Sequence, residues 1–163
     1  MNREQILTLG TTLDDNNSFI IDRLTEFDID VFGIGDMSAY DKELLGLDSS
    51  TVDRLPFAVS IGLVLSKAVL DTVADGPNPL YLHHYRQLNY RLDMIGYLLS
   101  REIEKKGYKA LPFAASQVID WKNQLGHISH KHIAVVSGVG LFVIFEGVKG
   151  WCALRAVDVK TPL

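Results

Sequence analysis

The chain has 163 residues, 47% of them hydrophobic and 22% charged, which is enough for one globular domain with a substantial core and too few for two. With 16 basic and 20 acidic residues the net charge is -4, so nucleic acid or an anionic membrane has no electrostatic reason to bind. A single cysteine, Cys152, excludes an intrachain disulfide and any cluster held by several of this chain's own thiolates, and it fits a reducing compartment. The N-terminus has no basic start followed by an apolar run, and no uncharged apolar stretch reaches the ~18 residues of a membrane span. A soluble, cytoplasmic protein is expected.

Arg3 to Leu9 reads as a short helix ending at Gly10, and Asp14-Asp15-Asn16-Asn17 as a loop. Ser18 caps a second, amphipathic helix whose buried stripe is Phe19, Ile20, Leu24 and Phe27. Ile29 to Ile34 reads as a strand. Gly33 and Gly35 have the opening spacing of a dinucleotide fingerprint, but its third glycine would fall on Ser38; starting from Gly138 and Gly140 it would fall on Val143. A Rossmann phosphate loop is not expected. Residues 36–55 form a mixed surface connection with a helical turn or two. Pro56 to Leu65, PFAVSIGLVL, is an apolar run with β-branched members, expected as a central strand buried on both faces.

Ser66 caps a short helix through Ala74, and Asp75-Gly76-Pro77 breaks the chain. The strongest element follows. Asn78 is a good N-cap and Pro79 suits the first helical position. Tyr81, Tyr85, Leu88, Leu92, Ile95, Leu99 and Ile103 then repeat at spacings of three and four. Lys105 and Lys106 occupy the last turn, and Gly107 stops a helix of about seven turns. Tyr108 to Ala114 is expected as a strand. Leu141 to Phe145 and Trp151 to Val157 read as a hairpin around residues 146–150. The whole is an α+β chain with a mixed sheet and a long central helix; strand order does not follow from these patterns.

The unusual chemistry gathers between Leu111 and Gly140. Ser129 can cap a helix over about His130 to Ser137, placing His130, Lys131 and His132 in its first turn, where free backbone N–H groups favour a polar or anionic ligand. His127 precedes that helix, and Gly138 and Gly140 follow it. This region reads as a ligand shelf.

The run HHYRQLNYRLDMIGYLLSREIEKKGYKALPFAAS followed by ISHKHIAVVSGVG resembles the N-terminal domain of the corrinoid iron–sulfur reductases, the group around epoxyqueuosine reductase and its reductive dehalogenase-like relatives. The resemblance extends from about Val31 to Gly140. Its most specific pieces are GY-x-A-x-P-x-x-AS and SHKH. It implies a nitroreductase-like α+β fold that binds cobalamin against the sheet, and a downstream ferredoxin-like domain that delivers electrons. Under the resemblance, Ser116, His127, Ser129, His130, Lys131, Gly138 and Gly140 are candidate cofactor contacts and Asp120 the candidate proton donor, although Asp120 stands several residues early for that role.

Two departures shape the expectation. The chain runs straight from Gly140 into LFVIF, without the family's Gly- and Asn-containing turn, so 141–163 is a divergent C-terminal hairpin on a single domain spanning 1–163. The cysteine-rich segment that should follow is lacking, so an iron–sulfur cluster is not supported in this chain and an iron–sulfur electron donor, as partner protein or domain, is required. A truncated or frame-shifted product fits the same departure.

The residues also admit plainer readings. His130 and His132 point to different sides of a helix and His127 precedes it, so no shared metal ion is expected. Asp120 also reads as a surface or helix-capping aspartate, Trp121 as core, Cys152 as an inert thiol, Gly138 and Gly140 as a helix stop. At least one of His83 and His84 should be merely exposed. Two rival functions stand beside the corrinoid reading. One is a flavin (FMN) oxidoreductase with Lys131, Arg86 and Arg91 as phosphate candidates; the other is a non-enzymatic domain that binds a partner or forms a homodimer.

Overall fold

A computed structural model describes residues 15–37, 40, 46–115 and 117–139. The expected helix at Arg3–Leu9, the hairpin within 141–163, Cys152, Ser116 and Gly140 lie outside them.

Helix α1, Asp15–Glu26, starts three residues before the expected cap, so Asn17 and Ser18 lie inside it. An acidic, polar first turn suits the positive end of the helix dipole, which is why the loop reading of that run fails. Leu24 is completely buried, and Ile20 and Phe27 pack beside it. The helix closes in a Schellman motif. Ile29 N–H donates to the Leu24 carbonyl at 3.3 Å and Asp28 N–H to that of Thr25 at 3.1 Å, with Asp28 in the left-handed region at φ 54°. Ile29 is therefore part of the helix end rather than of a strand, and its side chain, 9% exposed, joins the core. Arg91 finishes the cap from outside, donating to the Phe27 carbonyl at 3.2 Å.

The strand begins two residues later than expected, as β1, Val31–Asp36. A helical turn, α2 (Ser49–Val52), falls within the mixed connection. Strand β2 covers Phe57–Gly62 and pairs antiparallel with β1, Phe32 opposite Ile61 and Gly33 opposite Ser60. Among the described residues these two strands are the whole sheet. The expectation of a ten-residue central strand buried on both faces is corrected: β2 is six residues long and Phe57 is 67% exposed.

The register sorts the ribbon into two unlike faces. Phe32, Val59 and Ile61 pack against Leu24, Ile29, Ile95 and Leu99. The other face carries Val31, Gly33, Gly35, Ala58, Ser60 and Gly62, all small except Val31 at its end. Helix α5, His130–Val136, lies on that side, contacting both strands, and the fit is tight enough that a Cβ on Gly33 would come within 2.1 Å of the Ser137 carbonyl oxygen. The paired glycines thus admit a helix, not a phosphate.

Helix α3 is a single turn, Lys67–Leu70, shorter than the Ser66–Ala74 expected, and Ser66 makes no side-chain cap. Asn78 takes over the local bonding. Its amide nitrogen donates to the Thr72 carbonyl and hydroxyl while its oxygen accepts from Tyr81 N–H at 2.9 Å. That anchors α4, Pro79–Lys105, whose 27 residues extend about 40 Å. Ile95 and Leu99 are each 5% exposed. The expected stripe is less deeply buried towards its N-terminus, where Tyr85 is exposed. Half-buried His84 accepts through Nε2 from the Ser66 N–H at 2.9 Å, and His83 is exposed.

Helix α4 ends as α1 does, with Gly107 N–H donating to Glu104 and Tyr108 N–H to Ile103. Lys106 lies 4.2 Å above the Phe19 ring of α1. Gly107 adopts φ 87° with open space around a would-be Cβ, so the cost of substitution is purely backbone. Gly107→Ala should destabilise the protein by about 1 kcal/mol in urea unfolding with the m-value unchanged.

Tyr108–Ala114 is not a strand. Pro112 lacks the N–H a ladder needs, and the segment is tied to helices instead, with Ala115 N–H donating to Asp93 Oδ1 at 2.7 Å. The outcome is an α+β arrangement with α1 and α4 on one face of a two-stranded ribbon and α5 on the other.

Candidate functional site

The candidate site is built at the start of α5. Ser129 is its N-cap in extended conformation (φ −86°, ψ 99°); its hydroxyl accepts from His132 N–H at 3.5 Å and contacts His132 Nδ1 at 2.8 Å. The backbone N–H of Ser129 donates to the Tyr40 hydroxyl at 3.4 Å, and the Tyr40 ring meets the His132 imidazole edge-on, centroids 6.5 Å apart. His130 reaches across to the Ala114 carbonyl at 3.0 Å through Nε2. A carbonyl only accepts, so Nε2 carries the proton in this geometry. His127 lies against the Phe113 ring, centroids 6.1 Å apart.

The arrangement joins the ends of LPFAA and ISHKH in one corner. His130 and Lys131 are exposed on its outer side, while His127, Ser129 and His132 are half-buried within it. The imidazoles do not converge: among the described residues no three His, Cys, Asp or Glu side chains are placed to hold a metal ion. Ser129→Ala removes the cap and the contact to His132 together, and should cost about 1 kcal/mol in urea unfolding.

Asp120 stands at the neck of a tight loop, bridged to Leu125, with Leu125 N–H donating to the Asp120 carbonyl at 3.0 Å. Its Oδ1 accepts the backbone N–H groups of Lys122 and Asn123, both at 3.0 Å, and its Oδ2 the Asn123 amide at 2.7 Å. The Asn123 side-chain hydrogen bond, followed by the backbone ones, holds the Asp120 carboxyl below the usual aspartate range. It is therefore ionised at neutral pH, the wrong state for giving up a proton, and the loop-forming reading describes it. Because the folded-state pKa is depressed, its contribution to loop order is fully present above the ordinary aspartate value. It is lost only as pH falls through the lower folded one. A carboxyl-carbon NMR titration should give Asp120 a midpoint below that of an ordinary exposed aspartate.

The same loop lifts Trp121 into solvent, 75% exposed, which corrects the expectation of a core tryptophan. Gln124, at φ 55°, turns the chain back, its amide donating to the Trp121 carbonyl at 2.7 Å.

Gly138 ends α5 in a Schellman motif, with Val139 N–H donating to Ala134 and its own N–H to Val135. It adopts φ 70° with open space around a would-be Cβ. A helix stop accounts for it fully. Of the flavin phosphate candidates, Arg91 is engaged at the end of α1. A cleft of about 320 Å³, lined by Arg54, Leu55, Glu104, Tyr108, Lys109, Ala110 and Leu111, meets the shelf only at Leu111, its first residue, and holds none of the candidate contacts. Tyr40 was not foreseen as part of the corner. It stands 89 residues from Ser129 in sequence, and no local pattern marks it.

Comparison with known proteins returned no matching family model, no matching curated protein and no matching solved structure.

Proposed function

We propose that this chain is a corrinoid-binding domain of an epoxyqueuosine reductase-like oxidoreductase, on a nitroreductase-like version of the α+β fold, acting with an iron–sulfur electron donor supplied by another protein or domain. The observation that carries the reading is the His130–Ala114 hydrogen bond. It brings the LPFAA part of the GY-x-A-x-P-x-x-AS run and the SHKH motif into a single corner with exposed polar side chains on its outer side.

The residues present suit the edge of a large flat ligand ringed by amides. Lys131 is an exposed donor for its periphery, and Trp121 offers an exposed aromatic face. A bound corrinoid supplies the reductive cobalt chemistry. The chain's own part is to bind and orient: Ser129 and Tyr40 hold the start of α5, and the Asp120 loop presents Trp121. Asp120 would act as a proton source only when a covering ligand desolvates its carboxyl and raises its pKa.

The test is an absorption spectrum after gel filtration with hydroxocobalamin or with FMN. Corrinoid bands should travel with the protein, and Trp121→Ala and Lys131→Glu should each weaken retention about tenfold, roughly 1.4 kcal/mol. Protein free of corrinoid after mixing overturns the reading, and flavin bands in its place favour the flavin oxidoreductase. A second reading, a non-enzymatic domain that binds a partner or itself, is favoured by the exposed apolar side of α4, where Tyr90, Met94 and Tyr97 are 65%, 57% and 53% exposed.

A further inference from the structure

We infer that residues 66–72, which carry α3, are a flap held on α4 through the neutral imidazole of His84 and released when that imidazole takes up a proton. Ser66 N–H donates to His84 Nε2 at 2.9 Å, and both residues are half-buried. A backbone N–H only donates, so this bond requires one state of the ring: Nε2 bare and the proton on Nδ1. A second proton arriving at Nε2 sets donor against donor and removes the bond outright. A histidine that donates behaves in the opposite way. His130, bonded through Nε2 to the Ala114 carbonyl, keeps its bond when its ring becomes charged.

The neighbouring bonds set the limits of the flap. Two residues before Ser66, Val64 N–H donates to Asp30 Oδ2 at 2.7 Å. At the other end the Asn78 amide holds the Thr72 carbonyl and hydroxyl at 2.8 and 3.0 Å, while its oxygen caps α4. Neither anchor depends on an imidazole, so Val64 and Thr72 are the fixed ends and His84 is the fastening between them. Packing adds little to it. Helix α3 touches α4 but is a single turn with no buried residue and no side-chain cap from Ser66, and Leu70 is 42% exposed.

Among the described residues, the charged and titratable groups on the elements around His84 leave the imidazolium without a new hold on the flap. On α3, Lys67 and Asp71 are exposed and paired with each other at 2.8 Å. Asp30 is engaged by Val64, and Asp75 lies beyond the fixed end at Thr72. Within a turn of His84 on α4 stand Tyr81, His83, Tyr85 and Arg86, none of them a carboxylate. The bond exists with the ring neutral, so its contribution is complete on the alkaline side of the ring's titration and vanishes as pH falls through it. For imidazoles that window is about pH 5–8. The device does not depend on a bound corrinoid, and its failure leaves the cofactor reading untouched.

NMR of the full chain tests it, with far-UV circular dichroism to verify folding. At about pH 8, long-range proton–nitrogen spectra should show His84 protonated on Nδ1 and bare on Nε2. On acidification to about pH 5 the Ser66 amide should shift in step with the ring. His84→Gln supplies an acceptor oxygen that does not titrate. Ser66 amide exchange should therefore be about fivefold faster in the parent than in this variant at about pH 5, and equal at about pH 8, the value of one neutral hydrogen bond. Comparison at a single pH cancels the intrinsic exchange rate. His84→Phe, with no acceptor, should leave the flap released at both. An Nε2-protonated ring at the higher pH overturns the inference. So does a Ser66 amide that ignores the ring's titration, or parent and His84→Gln proteins that exchange alike at the lower pH.

Discussion

Gly33→Ala should detach the C-terminal end of α5 from the ribbon and lower stability by about 3 kcal/mol, at the upper end of what overpacking usually costs. The new methyl would come 2.1 Å from the Ser137 carbonyl oxygen and 2.5 Å from Val139 Cγ2. The first of these is backbone, so no rotamer change relieves it; α5 must shift as a body. At Gly35 the nearest atoms are 2.9 Å away, so Gly35→Ala should be milder. In an ordinary strand the same change is favourable, because alanine loses less backbone freedom than glycine on folding. The sign of the effect is thus the readout. Urea unfolding of the two variants, with hydrogen exchange at Ser137 and Gly138, decides the matter: a Gly33→Ala protein as stable as the parent would mean that α5 does not sit on this face.

Leu24→Ala should cost about 2–5 kcal/mol, the range for truncating a fully enclosed leucine. Leu24 has no exposed surface and lies where α1, α4 and the ribbon meet, beside Ile29, Ile95 and Leu99. The cavity would be bounded by two helices whose ends are held by separate Schellman motifs, which limits how far they can close around it. Against a total stability of about 5–15 kcal/mol for a domain, this one truncation could leave the chain marginal. Loss of less than about 1 kcal/mol in equilibrium unfolding would show that this cluster is not the core.

The long helix was readable because its signals are local and agree. Asn78, Pro79, the three-and-four spacing up to Ile103 and Gly107 all act within a few residues of where they stand. The same holds for α5, bracketed by Ser129 and Gly138. The ribbon was read less well. PFAVSIGLVL carries β-branched residues throughout, so strand character was clear, but its length and burial depend on which neighbours pair with it. Gly33 and Gly35 have the opening spacing of a phosphate loop, which Ser38 in place of a third glycine argues against, but the sequence does not say what they are for. Only the register, which sets them beside Ala58, Ser60 and Gly62, identifies them as a floor for α5. Tyr108–Ala114 is apolar enough for a strand, yet Ala114 bonds to the imidazole of His130 and the next residue, Ala115, to the carboxylate of Asp93.

At the candidate site the division is similar. Ser129 as cap, with His130 and Lys131 displayed in the first turn, follows from propensity and needs no knowledge of the fold. The hydrogen bond from His130 to Ala114, the approach of Tyr40 and the exposure of Trp121 do not follow from it. Helix limits depend on backbone groups a few residues apart, so a stretch of chain carries enough information to place them. Sheet register, the floor beneath α5 and the joining of two distant motifs depend on which surfaces exclude water together, and that is settled only once the whole chain has found its partners.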